Sequence, residues 1–314
     1  MRRLRLLAIT TTALTYFLIF VGGLVRVSGA GLGCPDWPRC FGRWIPPTRL
    51  DQLPPEFDPS TFNITLAWIE YVNRLVGVVV GLFILALAIV VVIYYRRHKR
   101  LLTPAILALI LVAIQGWQGS IVVAMGLDPA VVNIHLYTAL IIAGFLVYLT
   151  QQTFYLDPER NDERHTRYSP GLANTLVVLF LVVMVQVILG SQVRAGFEFL
   201  MQTLRFVGNL SVMELIGPGV SIHMWVGVLV LLLGGILIYQ LRYTSESVST
   251  LMAVSATLVV ILMVGQVILG FSLMRVGLPP IMQLYHLWMG SILMGTVLVM
   301  ITALQHNKEL KSGS

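Results

Sequence analysis

Charged side chains are scarce in this chain. They make up 11% of its 314 residues, against 57% hydrophobic. An ordinary soluble domain carries about 25% charge, so the composition excludes one and indicates a polytopic membrane protein. Cysteine is nearly absent: only Cys34 and Cys40 occur, too few for a disulfide scaffold or, by themselves, a zinc site. No run of Asp and Glu supplies a di-iron centre. Strands of alternating apolar and polar residues are missing, which excludes a membrane β-barrel. The prolines keep to the edges of the apolar runs, at positions 104, 129, 170, 218, 279 and 280. The broken helices that mark a transporter site are therefore not expected.

What remains is long apolar sequence. A membrane helix needs roughly 20 such residues, and eight stretches qualify: 4–27, 64–95, 101–125, 131–151, 171–194, 219–241, 248–274 and 279–304. The expected fold is all-α and integral to the membrane, with eight transmembrane helices. Lys and Arg gather in alternate loops, with Arg2, Arg3 and Arg5 before the first run, Arg96 to Arg100 after the second and Arg242 after the sixth. That asymmetry places both termini on the cytoplasmic side. It also accounts for the net charge of +7 without a nucleic-acid partner. The first run reads as a retained helix rather than a signal peptide.

Two outer loops are long. Residues 28–63 are proline-rich and hold both cysteines in GLGCPDWPRCFG. An outward-facing loop permits a disulfide there, and the pair reads equally as a structural staple or a redox-active couple that a thiol–disulfide partner could address. The second loop, from about residue 195 to 218, carries Phe197, Phe199, Leu204 and Phe206 and is expected to lie as an amphipathic helix in the interface.

Internal repetition organises the rest. QVILG occurs at 186–190 and at 266–270, and QGWQG at 115–119. Arg26 in GGLVRVSG resembles Arg194 in GSQVRAG. The chain divides into halves at 1–155 and 165–306, expected to be two four-helix bundles related by a pseudo-two-fold axis along the membrane normal. Within WIEYVNRLVG at 68–77, Glu70, Asn73 and Arg74 share one helix face. Ionisable residues inside a bilayer are functional candidates by default. IHLYTA at 134–139, SIHMWVG at 221–227 and YHLWMG at 285–290 set His135, His223 and His286 at positions that match Asn73. One His from each of two facing helices can hold a metal or a haem between them, and a large flat apolar space suits haem. Arg26, Arg74, Arg194 and Arg275 stand at outer helix ends, where they snorkel or pair with haem propionates. Gln115, Gln118, Gln186, Gln192 and Gln266 read as interhelical hydrogen-bond partners with no chemistry of their own.

Taken together, GLGCPDWPRCFG, EYVNRLVG, IHLYTA, SIHMWVG and YHLWMG resemble the bacterial haem A synthase family over essentially the whole chain. The resemblance implies a haem b cofactor, its iron on His223 and His286, in the C-terminal half. It implies haem o as substrate in the N-terminal half, at His135, position 73 and Arg74. The activity implied is oxidation of one ring methyl of haem o to a formyl group, giving haem a for terminal oxidases, with Glu70 essential and Cys34 and Cys40 as the outer cysteine pair. Haem O synthase, an electron acceptor and the lipid of a prokaryotic plasma membrane are the implied partners. The family carries His at position 73; this chain has Asn, an amide that ligates iron poorly. The N-terminal iron would then keep His135 alone, and haem a output would be low. A second reading is a membrane haem b electron carrier without substrate chemistry. A simple i,i+4 ion pair is the corresponding alternative for Glu70 and Arg74.

Overall fold

The computed structural model describes residues 1–156, 166–203, 217–276 and 278–312, with 199–203 and 309–312 described by backbone only. It is all-α, and among the described residues eight helices are long and apolar enough to cross a membrane. They are α1 (Arg2–Val27), α2 (Ile64–Tyr94), α3 (Lys99–Ala124), α4 (Pro129–Tyr155), α5 (Leu172–Thr203), α6 (Pro218–Tyr239), α7 (Thr250–Val276) and α8 (Pro280–Ser312). Their starts carry local signals. Asn63 caps α2 by accepting from the Leu66 N–H, and Asp128 caps α4 by accepting from Ala130 and Val131 with Pro129 in the first turn.

α2 shows how the pattern works. Val80, Ile84, Leu87, Ala88 and Val91 are buried, whereas Val78, Leu82, Leu85, Ile89 and Ile93 are exposed. Both sets are apolar and follow the helical period, so the outward stripe is a lipid-facing surface.

The chain separates into two compact units, Met1–Glu159 with Ser272–Trp288, and Arg160–Phe271 with Met289–Ser314. In the first, α1 packs on α2 and α4, α2 on α3, and α3 on α4. Leu4, Ile84, Leu87, Leu101, Leu146 and Leu149 fill the centre. The Thr12 hydroxyl lies 2.8 Å from that of Thr150 across the α1–α4 seam. Trp288 donates to the Tyr16 carbonyl at 2.9 Å and meets Phe20 edge-on, which ties the 272–288 segment to α1. In the second unit α5 packs on α6. Residues 166–169 and 245–249 are joined by main-chain and hydroxyl bonds, and the Asn307 amide donates to Thr166.

Two local expectations change. α5 runs on to Thr203, so residues 195–203 continue the helix rather than open a loop. The i,i+4 pair of Arg194 and Glu198, at 2.8 Å, favours that extension. Leu204 and Phe206 lie outside the described residues. Pro104 sits inside α3, which begins five residues earlier at Lys99.

Candidate functional site

The outer loop is built onto α2. A one-turn helix at Ala30–Leu32 leads to Gly33, whose backbone lies directly on α2; a Cβ there would fall 2.4 Å from the Leu66 carbonyl oxygen. Only glycine permits that approach. The next residue, Cys34, is fully buried, as is Cys40, and their sulfurs stand 1.98 Å apart, at disulfide distance. Inside this small ring the Asp36 carboxylate accepts from the Phe41 and Gly42 N–H groups at 2.6 and 2.9 Å. That holds Phe41 at φ 54°, a left-handed conformation uncommon for a bulky residue. The Phe41 ring packs edge-on against Phe57 and Phe62, which compensates.

Glu70 and Arg74 close this loop against the helix. Glu70 is 4% exposed. Its Oε2 accepts the Cys34 N–H at 2.8 Å, and its Oε1 pairs with the Arg74 guanidinium. Arg74 also donates to the carbonyls of Asp36 at 2.8 Å, Arg39 at 2.7 Å and Cys34 at 3.4 Å. The ion pair expected as the alternative for these two residues is therefore formed, and it is woven into the cysteine ring. Asn73, on the same helix, turns toward α1. Its Oδ1 is buried without a hydrogen-bond partner, and a Cβ on Gly22 would lie 3.8 Å from it.

The histidines share that setting. His135 on α4 is half-buried and its Nδ1 has no hydrogen-bond partner. Across from it on α3, a Cβ on Gly119 would lie 3.9 Å from Cε1. His223 on α6 faces Gly190 of α5, where a Cβ would lie 3.0 Å from Cε1. Asn73, His135 and His223 thus each face a glycine on a neighbouring helix. His286 is half-buried on α8 and belongs to the first unit, whereas His223 belongs to the second.

Among the arginines, Arg26 and Arg275 close the last turns of α1 and α7, where a cation complements the helix dipole. Arg194 pairs through Nε with Glu198 and stacks over Phe197. Among the described residues no group of three or more His, Cys, Asp or Glu gathers as a metal-ion cluster. Sequence reading missed two things. It saw the glycines only as letters of a repeat, and it gave the glutamines no defined partners. The structure supplies those partners for two of them: Gln115 Nε2 donates to the His135 carbonyl and Gln186 Nε2 to the His223 carbonyl, both at 2.9 Å.

Comparison with known proteins bears on this arrangement. A family model described as cytochrome oxidase assembly protein matches residues 5–298. A haem A synthase of Shewanella oneidensis is 29% identical over 217 residues, covering 66% of this chain and 64% of that protein. One of Geobacillus kaustophilus is 33% identical over 138 residues, 44% of this chain and 39% of that protein. One of Ehrlichia canis is 28% identical over 194 residues, 56% and 55% respectively. The chain thus spans less than two thirds of the length of these relatives.

Proposed function

The chain belongs to the haem A synthase family of cytochrome oxidase assembly proteins, and from that premise we propose that it is built to oxidise a ring methyl of haem o to the formyl group of haem a. The observation that carries this reading is the repeated setting of Asn73, His135 and His223 inside apolar helices, each facing a neighbouring glycine. The residues fit a haem. Each glycine leaves room beside a ring or amide, and the buried Nδ1 of His135 and Oδ1 of Asn73 lack partners.

His223 and His286 would hold haem b, which when bound supplies one-electron transfer. Haem o would be the substrate of the N-terminal half, where His135 and the residue at position 73 would hold its iron. Conversion of the methyl consumes one water and releases four protons and four electrons, so an electron acceptor is required. Glu70, which accepts the Cys34 N–H and pairs with Arg74, would take up a proton or stabilise positive charge at the methyl. Arg74 holds that carboxylate in place, and Arg26, Arg194 and Arg275 are the propionate partners. The alternating basic loops support an orientation with both termini on the cytoplasmic side of a prokaryotic plasma membrane and the cysteine ring outside.

Asn at 73 removes one imidazole from the substrate iron. The test is co-expression with a haem o source, followed by chromatography of the extracted haems. The Asn73→His protein is expected to yield more haem a than the parent, and Glu70→Ala in that background to yield none while keeping its haem b. Equal haem a from parent and Asn73→His proteins would remove position 73 from the site. Haem b alone in every variant would favour an electron carrier.

A further inference from the structure

The two glutamine bonds share one geometry. Gln115 on α3 and Gln186 on α5 each donate to a histidine's main-chain carbonyl on the helix that packs beside them, at 2.9 Å in both cases. A carbonyl can face only the NH2 side of an amide, so the orientation of both side chains is fixed. In both, the amide oxygen is left buried and without a partner. Leaving a buried acceptor unsatisfied is costly, so the arrangement does not come from optimising the glutamine alone. Four residues on, one helical turn, each glutamine is followed by the glycine that faces the same histidine ring, Gly119 for His135 and Gly190 for His223.

The approach of the helices is cut to the glutamine as well. A Cβ on Gly227, four residues after His223, would lie 3.2 Å from Gln186 Nε2. The same relation recurs at Gly290, where a Cβ would lie 3.3 Å from Gln266 Nε2. The Gln186 amide also sits 3.4 Å from His223 Nε2.

We propose that Gln186 and Gln115 are positioning residues, which set the height of His223 and His135 through their main-chain carbonyls, and that Gly190 is the slot that fixes the orientation of the His223 ring. This rests on the reading that these histidines ligate haem iron. It extends that reading by assigning both glutamines, and Gly190, to the outer shell of the ligands.

The test is the visible spectrum, haem-to-protein ratio and midpoint potential of purified full-length protein, with His223→Ala, Gln186→Leu, Gly190→Ala and Gly119→Ala compared with the parent. Outer-shell changes typically weaken metal retention by about 10–100-fold. Gln186→Leu is expected to lower haem retention by about 10-fold and shift the low-spin bands and midpoint. Gly190→Ala is expected to do the same, because the ring must yield to a methyl at 3.0 Å. Gly119→Ala places its methyl at an ordinary 3.9 Å and should match the parent.

Alanine is the better helix former, so a loss in Gly190→Ala reports the slot rather than the helix. If Gln186→Leu fails to accumulate, Gly190→Ala decides. An unchanged spectrum in His223→Ala would overturn the ligand assignment itself. Loss in His223→Ala, with parent spectra and midpoints in Gln186→Leu and Gly190→Ala, would overturn the positioning role alone. Equal losses in Gly190→Ala and Gly119→Ala would also overturn it, since only at Gly190 would a methyl crowd the ring.

Discussion

Arg74 is the residue whose loss should most disturb the outer loop, and the effect can be read through the cysteine pair. Its guanidinium donates to three carbonyls of the 34–40 ring and pairs with Glu70. Arg74→Met keeps most of the apolar stem and removes all of these. Two short charge-assisted bonds go, at about 1.5–3 kcal/mol each before compensation. Glu70 is left as a buried carboxylate with the Cys34 N–H, a loss that typically costs about 3–5 kcal/mol.

Taking the lower end, about 3 kcal/mol, local opening of the loop becomes about 100-fold more populated, since each 1.4 kcal/mol is tenfold. Both cysteines are at most 1% exposed, so a reductant reaches them only after such opening. The assay is the rate of thiol appearance in purified protein under a water-soluble phosphine, trapped by alkylation and read by intact mass. Arg74→Met should be reduced about 100-fold faster than the parent. Glu70→Gln keeps an acceptor for Cys34 and leaves Arg74 its three carbonyls, so its gain should be about 5–10-fold, or roughly 1 kcal/mol. The double variant should be slower than Arg74→Met alone, because no uncompensated carboxylate remains. A rate for Arg74→Met within about twofold of the parent would refute the clamp, since the expected change is far larger.

Gly33→Ala places a Cβ 2.4 Å from the Leu66 carbonyl oxygen, a backbone atom that cannot swing aside. The loop must lift, at about 1–3 kcal/mol, and the reduction rate should rise by a comparable factor; a parent rate would show that the close approach is not required. Asp36→Ala removes the acceptor for the Phe41 and Gly42 N–H groups. A loss of about 1–3 kcal/mol should make trypsin cleavage at Arg39 and Arg43 faster, and an unchanged digestion pattern would argue that the Phe41 packing alone holds the turn.

The eight helices were legible because each is an apolar run of spanning length, and membrane helices satisfy their own backbone. Their ends were less so. α5 passes Arg194 because the Arg194–Glu198 pair extends it, and a loop of mixed polarity does not announce a helix that simply continues. The pairing of Glu70 with Arg74 was legible from an interval of four. That Glu70 also takes the Cys34 N–H, 36 residues away, was not. Periodicity reports which residues share a face, never what arrives at that face from a distant loop. The same limit hid the glutamines, since a main-chain carbonyl is an acceptor that no residue type marks.

The repeat carries further than its letters. Gly22 stands four residues before Arg26 as Gly190 stands four before Arg194, and Gly22 faces Asn73 as Gly190 faces His223. At Gly190 a methyl would crowd the ring at 3.0 Å, whereas at Gly22 it would stand 3.8 Å from the shorter amide. An asparagine does not need a slot that admits an imidazole, and its buried Oδ1 gains no partner there. On the proposed ligand role of position 73, Asn73→His is expected to be accommodated beside Gly22 without disturbing α1 or α2, read as parent-level accumulation and helical circular dichroism; loss of either would count against that role.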